Sequence, residues 1–123
     1  MNEIYPDATK QHLYVQIQSM SMHAVAFIIT IFDEDKNTEI ARIEGTTQKD
    51  DTFKAQLPNT ATFYKGKYIR GLFIIKSIDG KDDAAYKLRF SILEDDDLLT
   101  PDYELSDTTT DGNARVVKAF HLN

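Results

Sequence analysis

Two stretches decide the fold: Val25-Ala26-Phe27-Ile28-Ile29-Thr30-Ile31-Phe32, and the longer run over residues 69–78 that contains Leu72-Phe73-Ile74-Ile75 and ends at Ile78. Both are apolar on both parities, with Phe27, Ile29 and Ile31 against Ile28 and Phe32, and Phe73 and Ile75 against Leu72, Ile74 and Ile78. A strand with apolar side chains on its two faces belongs at the centre of a sheet, so these are the predicted central strands. The density of Ile, Phe, Tyr and Thr argues against helices here, as does the lack of a cap followed by an i, i+3, i+4 stripe. Residues 24–28 are where the helical alternative is strongest.

Outward from these runs the period is two. Leu13, Val15 and Ile17 alternate with Tyr14, Gln16 and Gln18, and Tyr86, Leu88, Phe90 and Ile92 alternate with Lys87, Arg89 and Ser91. Both sets read as half-buried strands. Phe53, Ala55 and Leu57 make a third set, ended by Pro58, which removes a ladder donor. Turn-forming clusters at residues 33–37, 49–51, 65–67, 79–83 and 111–113 separate the runs at short, even spacing. Strands so spaced with no helix between them predict an all-β fold, a β-sandwich or small barrel of about seven to eight mostly antiparallel strands, the last over residues 114–122. A single domain over residues 1–123 is expected, with a flexible start at 1–11. A long irregular connection is expected at 94–113, where Tyr103 and Leu105 allow a short edge strand. Hairpins and short crossovers would place loops 33–37 and 94–97 at the same end of the sandwich.

The 123 residues include 20 acidic and 14 basic side chains, for a formal charge of −6, and no cysteine. Absent cysteine excludes a disulfide scaffold, a thiolate metal site and a cysteine nucleophile. The acidic balance argues against general nucleic-acid binding, which draws its affinity from neutralised phosphates. The acidic N-terminus lacks an apolar signal region, and no run is long enough to span a membrane, so a soluble protein is expected.

Residues 33–44 fit an EF-hand loop at the first, third and fifth positions (Asp33, Asp35, Asn37) and end in Glu44. Thr38 stands where that loop needs Gly, and a strand precedes it rather than a helix, so an acidic hairpin is the better reading. A second arrangement escapes this objection. Asp33, Asp35 and Asn37 together with Glu94, Asp95, Asp96 and Asp97 would form a calcium site from two loops, competing with the plainer reading of solvated loop tips. No other cofactor is implied. The three histidines, His12, His23 and His121, are scattered, and no nucleophile elbow or phosphate loop occurs. No catalytic residue is assigned and a non-enzymatic protein is expected. Residues 63–71 mix aromatic and basic side chains. Phe63, Tyr64, Lys65, Tyr68 and Arg70 are the candidate partner-binding set. The competing reading makes Tyr68 an inward corner residue following Gly66.

The order of Ile29 to Asp33, Ile40 to Glu44, Asp51 to Pro58, Lys65 to Ile74 and Tyr86 to Leu93 resembles immunoglobulin-like or prealbumin-like β-sandwich modules. It is most similar to the N-terminal immunoglobulin-like domain of baseplate upper proteins from tailed phages of Gram-positive bacteria, over residues 13–93. The resemblance implies an assembly or attachment role in a virion, and it carries over no binding residue.

The leading expectation is therefore an interaction module with a protein partner, either foreign or a second copy, covering whatever apolar sheet face the chain leaves open. Its location would be the virion if the resemblance holds, and otherwise the cytoplasm. The runner-up is an acidic inhibitor or immunity-type protein presenting residues 33–39 and 94–97 to a basic partner. A carbohydrate-binding face built on Phe63, Tyr64 and Tyr68 is the third.

Overall fold

The computed structural model describes residues 2–6, 12–20, 23–47, 51–77, 85–95, 97–100, 104–110 and 112–123. Ten strands are described: β1 (Asn2–Ile4), β2 (His12–Ser19), β3 (Ala24–Phe32), β4 (Glu39–Thr47), β5 (Thr52–Thr60), β6 (Tyr68–Lys76), β7 (Ala85–Glu94), β8 (Asp97–Leu98), β9 (Glu104–Thr108) and β10 (Asn113–Leu122). They form a β-sandwich. Sheet A runs β1-β10-β6-β3-β4, and sheet B runs β5-β2-β7-β8 with β9 also on β7. Of the seven long strands, β2, β3, β5, β6 and β7 are those the periodicity marks, and β4 and β10 join them. The additions are short: β1 and β8 have three and two residues. β1 stands where a flexible start was expected, and it is held because Ile4 is buried and the Ile4 carbonyl accepts the Asn123 N–H.

The two runs that decide the fold are central, β3 between β6 and β4, and β6 between β10 and β3. Ile78 and Tyr103 lie outside the described residues. Within the long connection expected at 94–113, β9 contains Leu105 and is the short edge strand allowed there, while β8 is a further short strand that was not expected. All pairings are antiparallel except that of β1 with β10.

The core lies between the sheets, on the inward parity of each strand. Leu13, Val15 and Ile17 of β2 meet Leu88, Phe90 and Ile92 of β7 and the inward side chains of sheet A, all buried. Aromatic rings tie the layers together. Phe90 contacts Phe73 at 5.2 Å and Phe120 at 5.7 Å between ring centroids, and Phe27 meets Phe53 at 4.8 Å. Two glycines make room for these rings. A Cβ on Gly45 would lie 2.7 Å from the Phe27 ring, and one on Gly71 would lie 2.7 Å from Phe73 and 3.0 Å from Phe90.

The link β5–β6 carries a 3-10 turn, Ala61–Tyr64. Tyr64, not Tyr68, is the inward tyrosine of this corner: it is fully buried, and its hydroxyl accepts the Asn59 N–H at 3.0 Å. The registers put the β3–β4 hairpin, this turn and the β7–β8 turn at one end, as the alternation of loops requires.

Candidate interaction surface

Directly paired residues of antiparallel strands share a face, so the registers define the outer surface of sheet A rung by rung. One rung is Thr46, Ala26, Ile74 and Arg115, the next Glu44, Ile28, Leu72 and Val117, and the third Arg42, Thr30, Arg70 and Ala119. Phe32, Tyr68 and His121 continue it, with Glu3 of β1 beside His121. The centre is apolar. Ile74 is 43% and Val117 55% exposed, with Ala26, Ile28 and Leu72 half-buried around a shallow depression floored by Gly45.

Charges border this patch. On β4 the Arg42 guanidinium is held by Glu39 (2.9 and 3.0 Å) and Glu44 (3.1 Å), and these two carboxylates hold its proton more firmly than usual. Arg70 lies 4.7 Å above the Phe32 ring. Lys36 caps Tyr68, which stacks on His121 at 4.5 Å, and His121 Nδ1 meets Glu3 at 2.8 Å.

The outer face of sheet B differs. Tyr14, Gln16 and Gln18 of β2 oppose Gln56, Lys54 and Thr52 of β5, with a Tyr14 to Gln56 hydrogen bond and Lys54 over the Tyr14 ring. It is polar, as the alternation in β2 requires.

The residues singled out in the sequence divide. Asp35 is exposed, and its carboxylate accepts the N–H groups of Asn37 and Thr38 and the Thr38 hydroxyl, which holds its pKa below the ordinary carboxylate value. Asp33 accepts the Glu34 N–H and lies 3.9 Å from Lys67 Nζ. These bonds stabilise a closed acidic hairpin, with Lys36 in the left-handed region at φ 65°. At the β7–β8 turn Glu94 is buried, the Asp95 N–H donates to the His12 carbonyl, Asp97 is exposed, and Asp96 lies outside the described residues. The two loops share an end but belong to different sheets. Among the described residues no group of three or more His, Asp or Glu side chains is placed to hold a metal ion.

The aromatic-basic set does not form one surface. Tyr64 is in the core and unavailable to a partner, because the corner it closes faces inward. Phe63 is 43% exposed beneath Lys67 Nζ, Lys65 is exposed, and Tyr68 and Arg70 belong to the outer face of sheet A. The stacking platform a sugar would need from Phe63, Tyr64 and Tyr68 is therefore not assembled. Val117 and Arg115 were missed in the sequence. The signal was present, since residues 114–122 carry apolar side chains on both parities, Val116 and Phe120 against Val117 and Ala119.

No helix among the described residues is long and apolar enough to cross a membrane. No protein-family model, curated protein or solved structure matches the chain.

Proposed function

We propose that this protein is a non-enzymatic assembly module that binds a protein partner through the outer face of sheet A, as a structural subunit of a larger particle such as a phage tail or baseplate. The observation that carries the reading is the apolar centre of that face, Ile28, Leu72, Ile74 and Val117, which no described element covers. The described strands of the segment expected to cover it, β8 and β9, pair instead with β7 of sheet B. Arg70, Lys76 and Arg115 weight the β6–β10 side of the face toward positive charge. The fitting partner is a protein surface with an apolar centre bordered by carboxylates. The acidic-inhibitor reading has less support, because Asp33, Asp35 and Glu39 already serve Lys67, Thr38 and Arg42.

The test places a photo-crosslinking residue at Ile74, or at Lys54 on sheet B as control, and exposes the protein to extract of its native host and to purified particles. One defined protein crosslinked from position 74, absent from position 54 and lost on Leu72→Asp, supports the reading. Equal labelling from both faces, or none, overturns it. Recovery in purified particles supports the virion assignment, and recovery only outside them overturns it.

A further inference from the structure

Toward the β3–β4 hairpin, the outer face of sheet A holds a second depression, lined by Phe32, Lys36, Tyr68, Arg70 and Ala119, with a volume of about 140 Å³. The registers explain it. Thr30, Arg70 and Ala119 form one rung and Phe32, Tyr68 and His121 the next, so short side chains at Thr30 and Ala119 leave space beside the two large rings. Lys36, at a left-handed position of the hairpin, reaches back over the Tyr68 ring to 5.0 Å from its centroid.

The two cations of this depression are held in place but not neutralised. Arg70 rests on the Phe32 ring at 4.7 Å and Lys36 on Tyr68, contacts that fix a cation without cancelling its charge. Among the described residues neither has a carboxylate partner. Their neighbours differ. Arg42, on the rung of Arg70, is clamped by Glu39 and Glu44, and Lys67 meets Asp33. The acidic side chains nearby are engaged elsewhere. The Asp35 carboxylate is closed onto Asn37 and Thr38, Glu3 is held by His121, and Glu34 lies against Gly66, where an added Cβ would stand 2.7 Å from its Oε1.

We propose that this depression is a carboxylate site, and that it takes the side chain of a Glu or Asp on the protein docked over the apolar centre of the same face. Two uncompensated cations on so small a space call for one small anion, and the planar fork of Arg70 matches a carboxylate. The apolar centre points to its source. Ile28 and Leu72 lie two residues from Thr30 and Arg70 along their strands, about 7 Å, so an acidic side chain beside the apolar contact reaches the depression on its own stem. The source rests on the reading of this face as a docking surface; the preference for a carboxylate does not.

The probe is N-acetyl-glutamate N-methylamide, titrated at low salt into the full chain and followed by amide NMR shifts. The matching glutamine derivative and inorganic phosphate are the comparators. The glutamate probe should move the amides of Lys36, Tyr68, Arg70 and Ala119 along one saturating curve, and the glutamine derivative should leave them in place. Arg70→Gln and Lys36→Gln, both on exposed side chains, should each weaken the probe about tenfold. Lys76→Gln, the same loss of charge toward the other end of β6, should not. No saturable shift, an equal response to the glutamine derivative, a stronger response to phosphate, or equal weakening by Lys76→Gln overturns the carboxylate site. Capture from Ile74 tests the source. Its yield should fall about tenfold on Arg70→Gln and hold on Lys76→Gln. Capture indifferent to Arg70→Gln overturns the partner's side chain as the occupant and leaves the docking reading standing. No capture at all overturns that reading and the source together, and the titration alone then decides the carboxylate site.

Discussion

Gly45 and Gly71 show how single residues set the spacing of this sandwich. Each lies beneath a phenylalanine ring that a Cβ would meet at 2.7 Å, and at Gly71 the crowding rings come from both sheets. Gly45→Ala and Gly71→Ala are expected to cost about 1–3 kcal/mol each, Gly71→Ala the more because Phe73 and Phe90 must both shift. Urea denaturation monitored by Tyr fluorescence measures this, and an unchanged midpoint would contradict the packing described. Tyr64→Phe removes the acceptor of the Asn59 N–H and leaves the ring in place, for an expected loss of about 1 kcal/mol. Asp35 supplies the pH-dependent case. Its pKa is lowered in the folded chain, chiefly by the Thr38 hydroxyl, so its contribution is present above the ordinary value of 3.8 and is lost as pH falls through the folded value. An NMR titration should find Asp35 titrating below the ordinary value of 3.8, and Thr38→Val should raise it.

At the scale of the element, β1 is the least secured part of the fold. Three residues in parallel pairing cannot hold themselves, and what retains them is buried Ile4 together with the Glu3–His121 contact. Ile4→Ala is expected to raise amide exchange in residues 2–4 at least tenfold while β3 and β6 keep their protection. Loss of protection throughout would show instead that β1 is integral to the cooperative unit. The β3–β4 hairpin is the opposite case, closed by its own side chains. Its acidic pattern was plain in the sequence, and so was the objection to an EF-hand. That Asp35 would use its oxygens on the backbone was not legible, because it depends on the turn geometry that places Thr38 within reach.

Over the described residues five of the eight ladders join segments more than thirty residues apart in sequence, β1 with β10 and β2 with β7 above all. Such topologies close long loops before they gain contacts, so refolding is expected in the range of about milliseconds to seconds, as stopped-flow fluorescence would show. The two acidic loops share an end but sit on different sheets, and calcium is expected to leave the thermal midpoint unchanged relative to a chelator control. A rise of several degrees would show that the loops assemble around the ion.

What the sequence determined by itself was the strand content and which parity of each strand faces the core, because a period-two pattern and a buried face are local matters of side-chain direction. The two central strands were legible for the same reason. Which tyrosine turns inward, and which strand edge and which outer face the described residues leave uncovered, were decided only by the tertiary structure. Tyr64 and Tyr68 stand four residues apart in one aromatic stretch, yet the 3-10 turn sends one into the core and the other outward to His121. Among the described residues the edge of β10 is open because β1 is short and because β9 joins the other sheet. Side-chain periodicity carries no information about pairing partners, since backbone hydrogen bonds are the same for every residue. The sheet order that selects them is settled by how the whole chain packs.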